Sequence, residues 1–293
     1  MIPVYYSPDY TASAYAFDTT RKSRWIAESL ATSPIPGIDL VAPEPITREQ
    51  LLKVHEADYV RSVETGEPRG LASSSGLSWD KGNWPMVCAS NGGAVQAAIS
   101  ALTHGVAGSL SSGLHHARRR SGAGLCTFNG LVLAAKAAIA GGAQRVLVLD
   151  LDAHCGGGTA SLIENDTKIW QLDVSVSQGD YYDNNRRASL WITDGTDYLA
   201  LIDRRLSQMN RFDLVLYNAG MDPFEDCDLG GCDGITREVL ALRERMVFRW
   251  AKESRTPIAF VLAGGYIGRD LDEAGLVSLH RLTLNAAVKA NSL

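Results

Sequence analysis

Two hydrophobic patterns alternate through the second half of the chain. Short, mainly apolar runs occur at "RVLVLD" (145–150), "KIWQLDV" (168–174), "DLVLYNAG" (213–220) and "PIAFVLAGG" (257–265). Between them lie longer segments whose apolar residues recur at helical spacing: "FNGLVLAAKAAIAGG", "GGTASLIEN", "TDYLALIDRRLSQM", "TREVLALRERMVFRWAKES" and a closing "LDEAGLVSLHRLTLNAAVKA". A strand that is apolar at every position is covered on both faces. The pattern therefore predicts an α/β chain with a mainly parallel central sheet between two helical layers, a three-layer α/β/α sandwich.

The first half is less regular. "PVYYS" (3–7), "GIDLVAP" (37–43) and "VAGSL" (106–110) read as strands, and "RKSRWIAESLAT" (21–32) as a helix. Residues 47–66 read as two short helices in series, and 91–105 as a buried helix opening at Asn91. The stretches 67–85 and 174–194 read as loops. No repeat, low-complexity segment or linker divides residues 1–293, so a single domain is expected.

Bulk composition narrows the function. The chain has 293 residues, 45% of them hydrophobic and 21% charged, with a net charge of −5. That balance fits a soluble globular protein and argues against a general phosphate-binding surface, so no nucleic-acid partner is expected. The basic run "ARRRSG" (117–122) reads as solvated loop charge. The apolar stretch 129–151 is broken by Lys136, Gln144 and Arg145, so no membrane span is expected. Five scattered cysteines form neither a disulfide framework nor a zinc-ribbon spacing. The N-terminus lacks a basic region followed by an apolar one, and a cytoplasmic location is the expectation.

The chemistry gathers where strands end. In open α/β sheets, ligands bind beyond the carboxyl ends of the strands. "VAGSL" is followed by His115 and His116, "VLVLD" by Asp152 and His154, "LVLYNAG" by Asp222, and "FVLAGG" by Tyr266. If the extended backbone continues past Asp150, then Asp150, Asp152 and His154 point the same way. Converging carboxylates and an imidazole repel or shift their pKa values unless a cation lies among them. Asp152, His154 and Asp222 would supply three protein ligands and leave a position open, the pattern of a catalytic zinc site; ferrous iron, manganese and cobalt accept the same donors. Each residue also has a structural reading: Asp150 as a helix cap, Asp222 as a turn residue before Pro223, His115 and His116 as satisfied core or loop histidines. Their joint arrival at four strand ends favours a site.

In "YYSPDY" (5–10), "GLHHARRRSGAGLCTFNGLVLAA" (113–135), "RVLVLDLDAHCGGGT" (145–159), "NAGMDPFEDCDLGG" (218–231) and "LAGGYIGRD" (262–270), the chain resembles the zinc-dependent histone deacetylase superfamily. That superfamily includes bacterial histone deacetylase-like and acetylpolyamine amidohydrolases. The segments are in the family's order and span most of the chain. The resemblance implies the arginase/deacetylase-like sandwich and hydrolysis of a linear amide, releasing acetyl or another acyl group from acyl-lysine or an acylated amine. It implies one zinc per chain on Asp152, His154 and Asp222, catalytic His115, His116 and Tyr266, and Asp150 behind His115. It further implies a potassium ion near Asp150, Asp152 and Asp173, and a substrate channel past Gly124, Leu125, Gly264 and Gly265.

The sequence departs from the family at identifiable points. Cys155 stands where a second histidine is usual and reads as a small packing residue. Gly157 stands where a carboxylate or amide usually supports the second of the tandem histidines, so either His116 lacks that partner or another group substitutes for it. Leu125 and Thr127 replace an aromatic channel wall. Asp80 reads as an exposed loop acid, with a substrate-facing role as the alternative. Tyr181 and Tyr182 are candidates for the channel rim. Two other functions compete: a non-catalytic acyl-lysine or acyl-amine binding protein, and an arginase-like ureohydrolase. The second needs bridging carboxylates where Gly156 and Gly220 stand. Oligomeric state is left open.

Overall fold

A computed structural model describes residues 1–291. The strands are β1 (Ile2–Tyr5), β2 (Ile38–Val41), β3 (Val106–Ser109), β4 (Val146–Asp150), β5 (Ile169–Ser175), β6 (Ala188–Ile192), β7 (Leu214–Gly220) and β8 (Ile258–Ala263). They form one parallel eight-stranded sheet in the order β2-β1-β3-β8-β7-β4-β5-β6. The helices are α1 (Asp18–Thr32), α2 (Arg48–Leu51), α3 (Ala57–Thr65), α4 (Arg69–Ala72), α5 (Asn83–His104), α6 (Gly130–Ala140), α7 (Gly157–Ile163), α8 (Tyr198–Ser207), α9 (Arg237–Glu253) and α10 (Glu273–Asn291).

Every residue of β3, β4, β7 and β8 is buried, as unbroken apolar strands require. Alternate side chains feed two cores. Leu147, Leu149, Val215 and Tyr217 join α1, α8, α9 and α10 on one face. Val146, Val148, Leu214 and Leu216 join α3, α5 and α6 on the other. The three-layer expectation holds. No helix among the described residues is long and apolar enough to cross a membrane.

Two of the expected loops contain structure. The stretch 67–85 holds α4, and α5 begins at Asn83 rather than at Asn91. Pro85 falls in the first turn of α5, where its missing N–H has no intrahelical partner to lose. Asp80 precedes that turn. Its carboxylate accepts the amides of Ala14 (2.8 Å) and Gly82 (2.9 Å), which fixes the approach to the helix. The stretch 174–194 holds β6, which pairs only with β5 at the sheet edge. A short edge strand with one partly exposed face lacks the continuous apolar run that marks the others.

His55 shows how the layer behind the site is fixed. The amide of Asn129 donates to Nε2 (3.0 Å), so the proton sits on Nδ1 and is given to the Arg118 carbonyl (2.9 Å). Burial pushes this imidazole down to about 4 from its ordinary 6.5, opposed by the Arg118 carbonyl bond. The unfolded chain therefore binds the extra proton between pH 6.5 and 4 while the folded one does not. His55's contribution is complete above pH 6.5 and shrinks by about 3 kcal/mol on acidification to pH 4. Denaturant unfolding of wild type and His55→Gln at pH 7 and 4.5 should show the smaller pH slope in the variant. Equal slopes would remove His55 as the cause.

Candidate active site

The site lies beyond the carboxyl edge of β3, β8, β7 and β4, which are neighbours in the sheet. The sequence-predicted metal residues meet there. One ligand atom from each of Asp152, His154 and Asp222 lies within 4.8 Å of the others. His154 Nδ1 is 3.1 Å from Asp222 Oδ2 and 3.3 Å from Asp152 Oδ1. Asp152 and Asp222 are buried. Burial opposes charge on both, and the His115 and His154 imidazoles then hold Asp152 well below the usual carboxylate range. Burial and the neighbouring Asp152 push Asp222 up instead. His154 is raised to about 11: burial lowers it, but its bonds to the two carboxylates outweigh that. Two carboxylates and an imidazole nitrogen drawn onto one point, with a proton holding them together, are a donor set a divalent cation fits. Among the described residues this is the one such cluster.

Asp150 does not join it. β4 ends at Asp150 and the chain turns, so Asp150 and Asp152 no longer alternate as extended residues do. Asp150 Oδ2 accepts from His115 Nδ1 (2.8 Å), and Oδ1 accepts from Asn218 Nδ2 (2.7 Å). Asp173 is its register partner on β5. Burial and the charge of Asp150 push Asp173 up to about 8. Its carboxylate accepts from Gly156 N (2.7 Å) and Ser175 Oγ (2.6 Å). Asp152 turns its carboxylate toward His154 and Asp222, while its amide donates to Asp150 Oδ1 (3.3 Å).

The tandem histidines have different charges. Burial opposes protonation of His115, but Asp150 and Asp152 raise it to about 10. Burial and the charge of His115 push His116 down, against the pull of Asp180. The rings meet through Nε2 atoms 3.0 Å apart. Since His115 Nδ1 donates to Asp150, a charged His115 donates from Nε2 to His116 Nε2. His116 is thus a neutral imidazole with its basic nitrogen turned inward.

Of the two alternatives for His116, the structure shows a substitute carboxylate. Asp180, between β5 and β6, accepts from its Nδ1 (2.9 Å). Gly157 is where the expected side chain is missing, and it is also what lets Asp180 in: a Cβ there would lie 2.4 Å from the Asp180 carbonyl oxygen.

Tyr266 is set by close backbone approaches. Gly264 and Gly265 have φ of 51° and 82°, the left-handed region that favours glycine. A Cβ on Gly264 would stand 2.1 Å from Asp222 Oδ1, and one on Gly265 would stand 2.5 Å from Leu276 Cδ1. These glycines make room for Asp222 and for α10. Asp18, at the start of α1, accepts the Ile267 amide (3.0 Å), and Phe17 packs its ring 5.8 Å from that of Tyr266. Burial and the carboxylates of Asp222 and Asp152 push the Tyr266 phenol up, so it stays protonated and can donate.

The remaining sequence candidates scatter. Gly124 (φ 51°) backs His116: a Cβ there would meet its Cδ2 at 2.4 Å. Leu125 is partly buried, whereas Thr127 is buried and its carbonyl accepts from the Tyr59 hydroxyl. Tyr181 is exposed; Tyr182 turns its hydroxyl inward to a buried position. Cys155 is buried, with Sγ toward the Ser177 carbonyl (3.3 Å), as a packing residue would be.

Several supporting residues carried no sequence signal. Asn129 caps α6 through Oδ1 (3.0 Å to Val132 N), while Nδ2 holds the carbonyls of His115 (3.2 Å) and Ala117 (3.3 Å). Lys22 is buried, donates to the Thr19 carbonyl (2.7 Å), and is pushed down to about 8 by burial, against Asp222, Asp152 and Asp18. Arg243 of α9 is buried and donates to the carbonyls of Leu151 (3.2 Å) and Gly220 (2.7 Å), beside the clustered Asp152 and Asp222. It also pairs with buried Glu244 (2.7 Å). Arg243→Met leaves Glu244 buried without its cation and should cost about 3–5 kcal/mol of stability, with reduced zinc uptake. Denaturant titration and metal analysis check this. An unchanged midpoint would mean that Arg243 fixes neither strand end.

Comparison with known proteins agrees with this architecture. A family model described as the histone deacetylase domain matches residues 16–281. A protein of Picosynechococcus sp. is 30% identical over 97% of this chain and 98% of its own length. Histone deacetylase 2 of Arabidopsis thaliana is 26% identical over 91% of this chain and 75% of its own. Among solved structures, an acetylpolyamine aminohydrolase from Burkholderia pseudomallei superposes with a TM-score of 0.80 at 18% identity, covering 98% of both chains. The HDA15 HD domain superposes with a TM-score of 0.78 at 20% identity, covering 99% of this chain and 89% of that one. The match over residues 16–281, with the cluster of Asp152, His154 and Asp222 inside it, places the chain in the histone deacetylase domain family.

Proposed function

We propose that the protein is a zinc-dependent deacylase that hydrolyses the linear amide of an acyl-lysine or a small acylated amine. The reading is carried by one arrangement: the Asp152–His154–Asp222 cluster lies beside a neutral His116 and a protonated Tyr266. Asp152, His154 and Asp222 would hold the metal. When bound, such a metal lowers the pKa of water and polarises an amide carbonyl.

The chain's own groups divide the rest. Asp150 holds Nδ1–H of His115 and keeps that ring charged, so its Nε2–H, which meets His116 Nε2, is the donor that a water bound between the two rings would take up while His116 Nε2 accepts from that water. Nε2 of His116 takes a proton from water and later returns it to the departing amine nitrogen. Tyr266 donates its hydroxyl proton in a hydrogen bond to the oxyanion as the carbonyl carbon becomes tetrahedral. Asp150 and Asp173, with the unpartnered buried oxygens Oε1 of Gln171 and Oδ1 of Asn218 nearby, would suit a monovalent cation behind His115. Leu125 in place of an aromatic wall supports a channel open to acyl groups larger than acetyl.

The test is metal content and turnover on one purified sample. Acetyl-lysine, trifluoroacetyl-lysine, octanoyl-lysine and acetylputrescine would be assayed with and without a hydroxamate. One zinc per chain and hydroxamate-sensitive turnover are expected, and the ranking locates the substrate class. One zinc without turnover on any acyl amide would favour an acyl-amine binding protein. Two manganese ions per chain would favour a ureohydrolase.

A further inference from the structure

The loop between β5 and β6, residues 176–187, reaches into the site from one side. The Gly179 carbonyl accepts the Cys155 amide (2.8 Å), and a Cβ on Gly179 would lie 3.1 Å from His154 Cδ2. Next to it, Asp180 takes a left-handed backbone conformation (φ 63°). Its Oδ2 accepts from His116 Nδ1 (2.9 Å) and from the Gly158 amide (3.2 Å), and its Oδ1 accepts from the Arg118 guanidinium. Arg118 also donates to the Gly157 carbonyl (3.0 Å). One guanidinium therefore ties the loop to the turn after β4. A Cβ on Gly157 would lie 2.4 Å from the Asp180 carbonyl oxygen and 2.8 Å from its Oδ1. That space admits one carboxylate, and here it enters from the loop.

We propose that Asp180, latched by Arg118, is the positioning residue of His116, so that proton transfer at this site depends on the 176–187 loop. The proposal rests on the deacylase reading for its kinetic consequence. A carboxylate on Nδ1 fixes the proton there and leaves Nε2 with the lone pair that accepts. Without Asp180 the ring is free to rotate or to carry its proton on Nε2, where it no longer acts as a base. Arg118 balances the added negative charge and holds the carboxylate in register with the ring. Arg118, His115 and His116 belong to one short segment, so latch and base move together.

The experiment uses zinc-loaded protein of residues 1–293 and the variants Asp180→Ala, Asp180→Asn, Arg118→Gln and Arg118→Gln/Asp180→Ala. Readouts are kcat and KM on the best wild-type substrate, zinc content, and the proton NMR signals of imidazole N–H groups. A downfield N–H resonance assigned to His116 by its loss in His116→Ala should also vanish in Asp180→Ala. In Asp180→Ala, kcat should fall about 10- to 100-fold with KM and zinc content unchanged. Asp180→Asn should recover most of that loss, because the amide oxygen accepts the same bond. Arg118→Gln should be intermediate, and the double variant no worse than Asp180→Ala alone. Retention of both kcat and the N–H resonance in Asp180→Ala would overturn the proposal. So would equal loss in Asp180→Ala and Asp180→Asn accompanied by zinc loss and a lower Tm, which marks fold support only. If wild type hydrolyses no acyl amide, the deacylase reading fails. The N–H resonance then still decides whether Asp180 holds His116.

Discussion

His116→Ala is expected to lower kcat about 10²- to 10⁴-fold on the best acyl-amide substrate, with zinc content unchanged. The ring is not one of the three clustered residues proposed to hold the metal, so metal binding should survive its removal. Burial and the charged His115 make it the neutral member of the pair. It is thus the nearby base that is free to accept a proton, while Asp152 and Asp222 are committed to the cluster. The lowered pKa also sets the acid limb of kcat/KM: activity should fall on acidification only below the ordinary histidine value of 6.5. Tyr266→Phe removes a donor rather than the base and should cost about 10²- to 10³-fold, again with zinc retained. Near-wild-type turnover in both variants would mean that neither group takes part.

Asp222→Asn should weaken zinc binding by more than about 10²-fold, a larger loss than that typical of residues behind metal ligands. The amide matches the carboxylate in shape, so the backbone bond from Ala153 N to Oδ1 (3.1 Å) is kept and the fold is not the cause. Only the charge and one donor oxygen are lost. Relief of repulsion with Asp152 offsets the lost attraction to His154, and the metal-free variant should unfold within about 1 kcal/mol of metal-free wild type. A zinc concentration 100 times the wild-type Kd stabilises wild type by about 2.7 kcal/mol. The same concentration should stabilise the variant by no more than about 0.4 kcal/mol. Wild-type zinc affinity should tighten as pH rises, because His154, held at about 11 by the two carboxylates, must release its proton to bind. Calorimetric titration at two pH values and thermal melts with and without zinc check both statements. Equal zinc-induced shifts in variant and wild type would remove Asp222 from the ligand set.

The site residues that fall directly after β3, β4, β7 and β8 were legible because a parallel sheet delivers every strand's end to one edge. His115, His116, Asp152, His154, Asp222 and Tyr266 needed only that rule to be brought together. The edge strand β6 and the early start of α5 were not legible. Pairing with β5 holds the first, and burial of Met86, Val87 and Cys88 holds the second, more than any local pattern does.

The sequence by itself determined the sheet, the edge at which the site lies and the kinds of donor gathered there. These follow from local periodicity and from residue chemistry, which any stretch of chain carries with it. The tertiary structure alone decided how those donors are held. Asp180 meets His116 across 64 positions of sequence, and Asp18 meets Ile267 across 249. Arg243 reaches Leu151 across 92. No spacing rule encodes such contacts, because they exist only once separate elements have packed. Gly157 shows the consequence: read along the chain it is a missing carboxylate, and in the folded protein it is the space through which Asp180 supplies one.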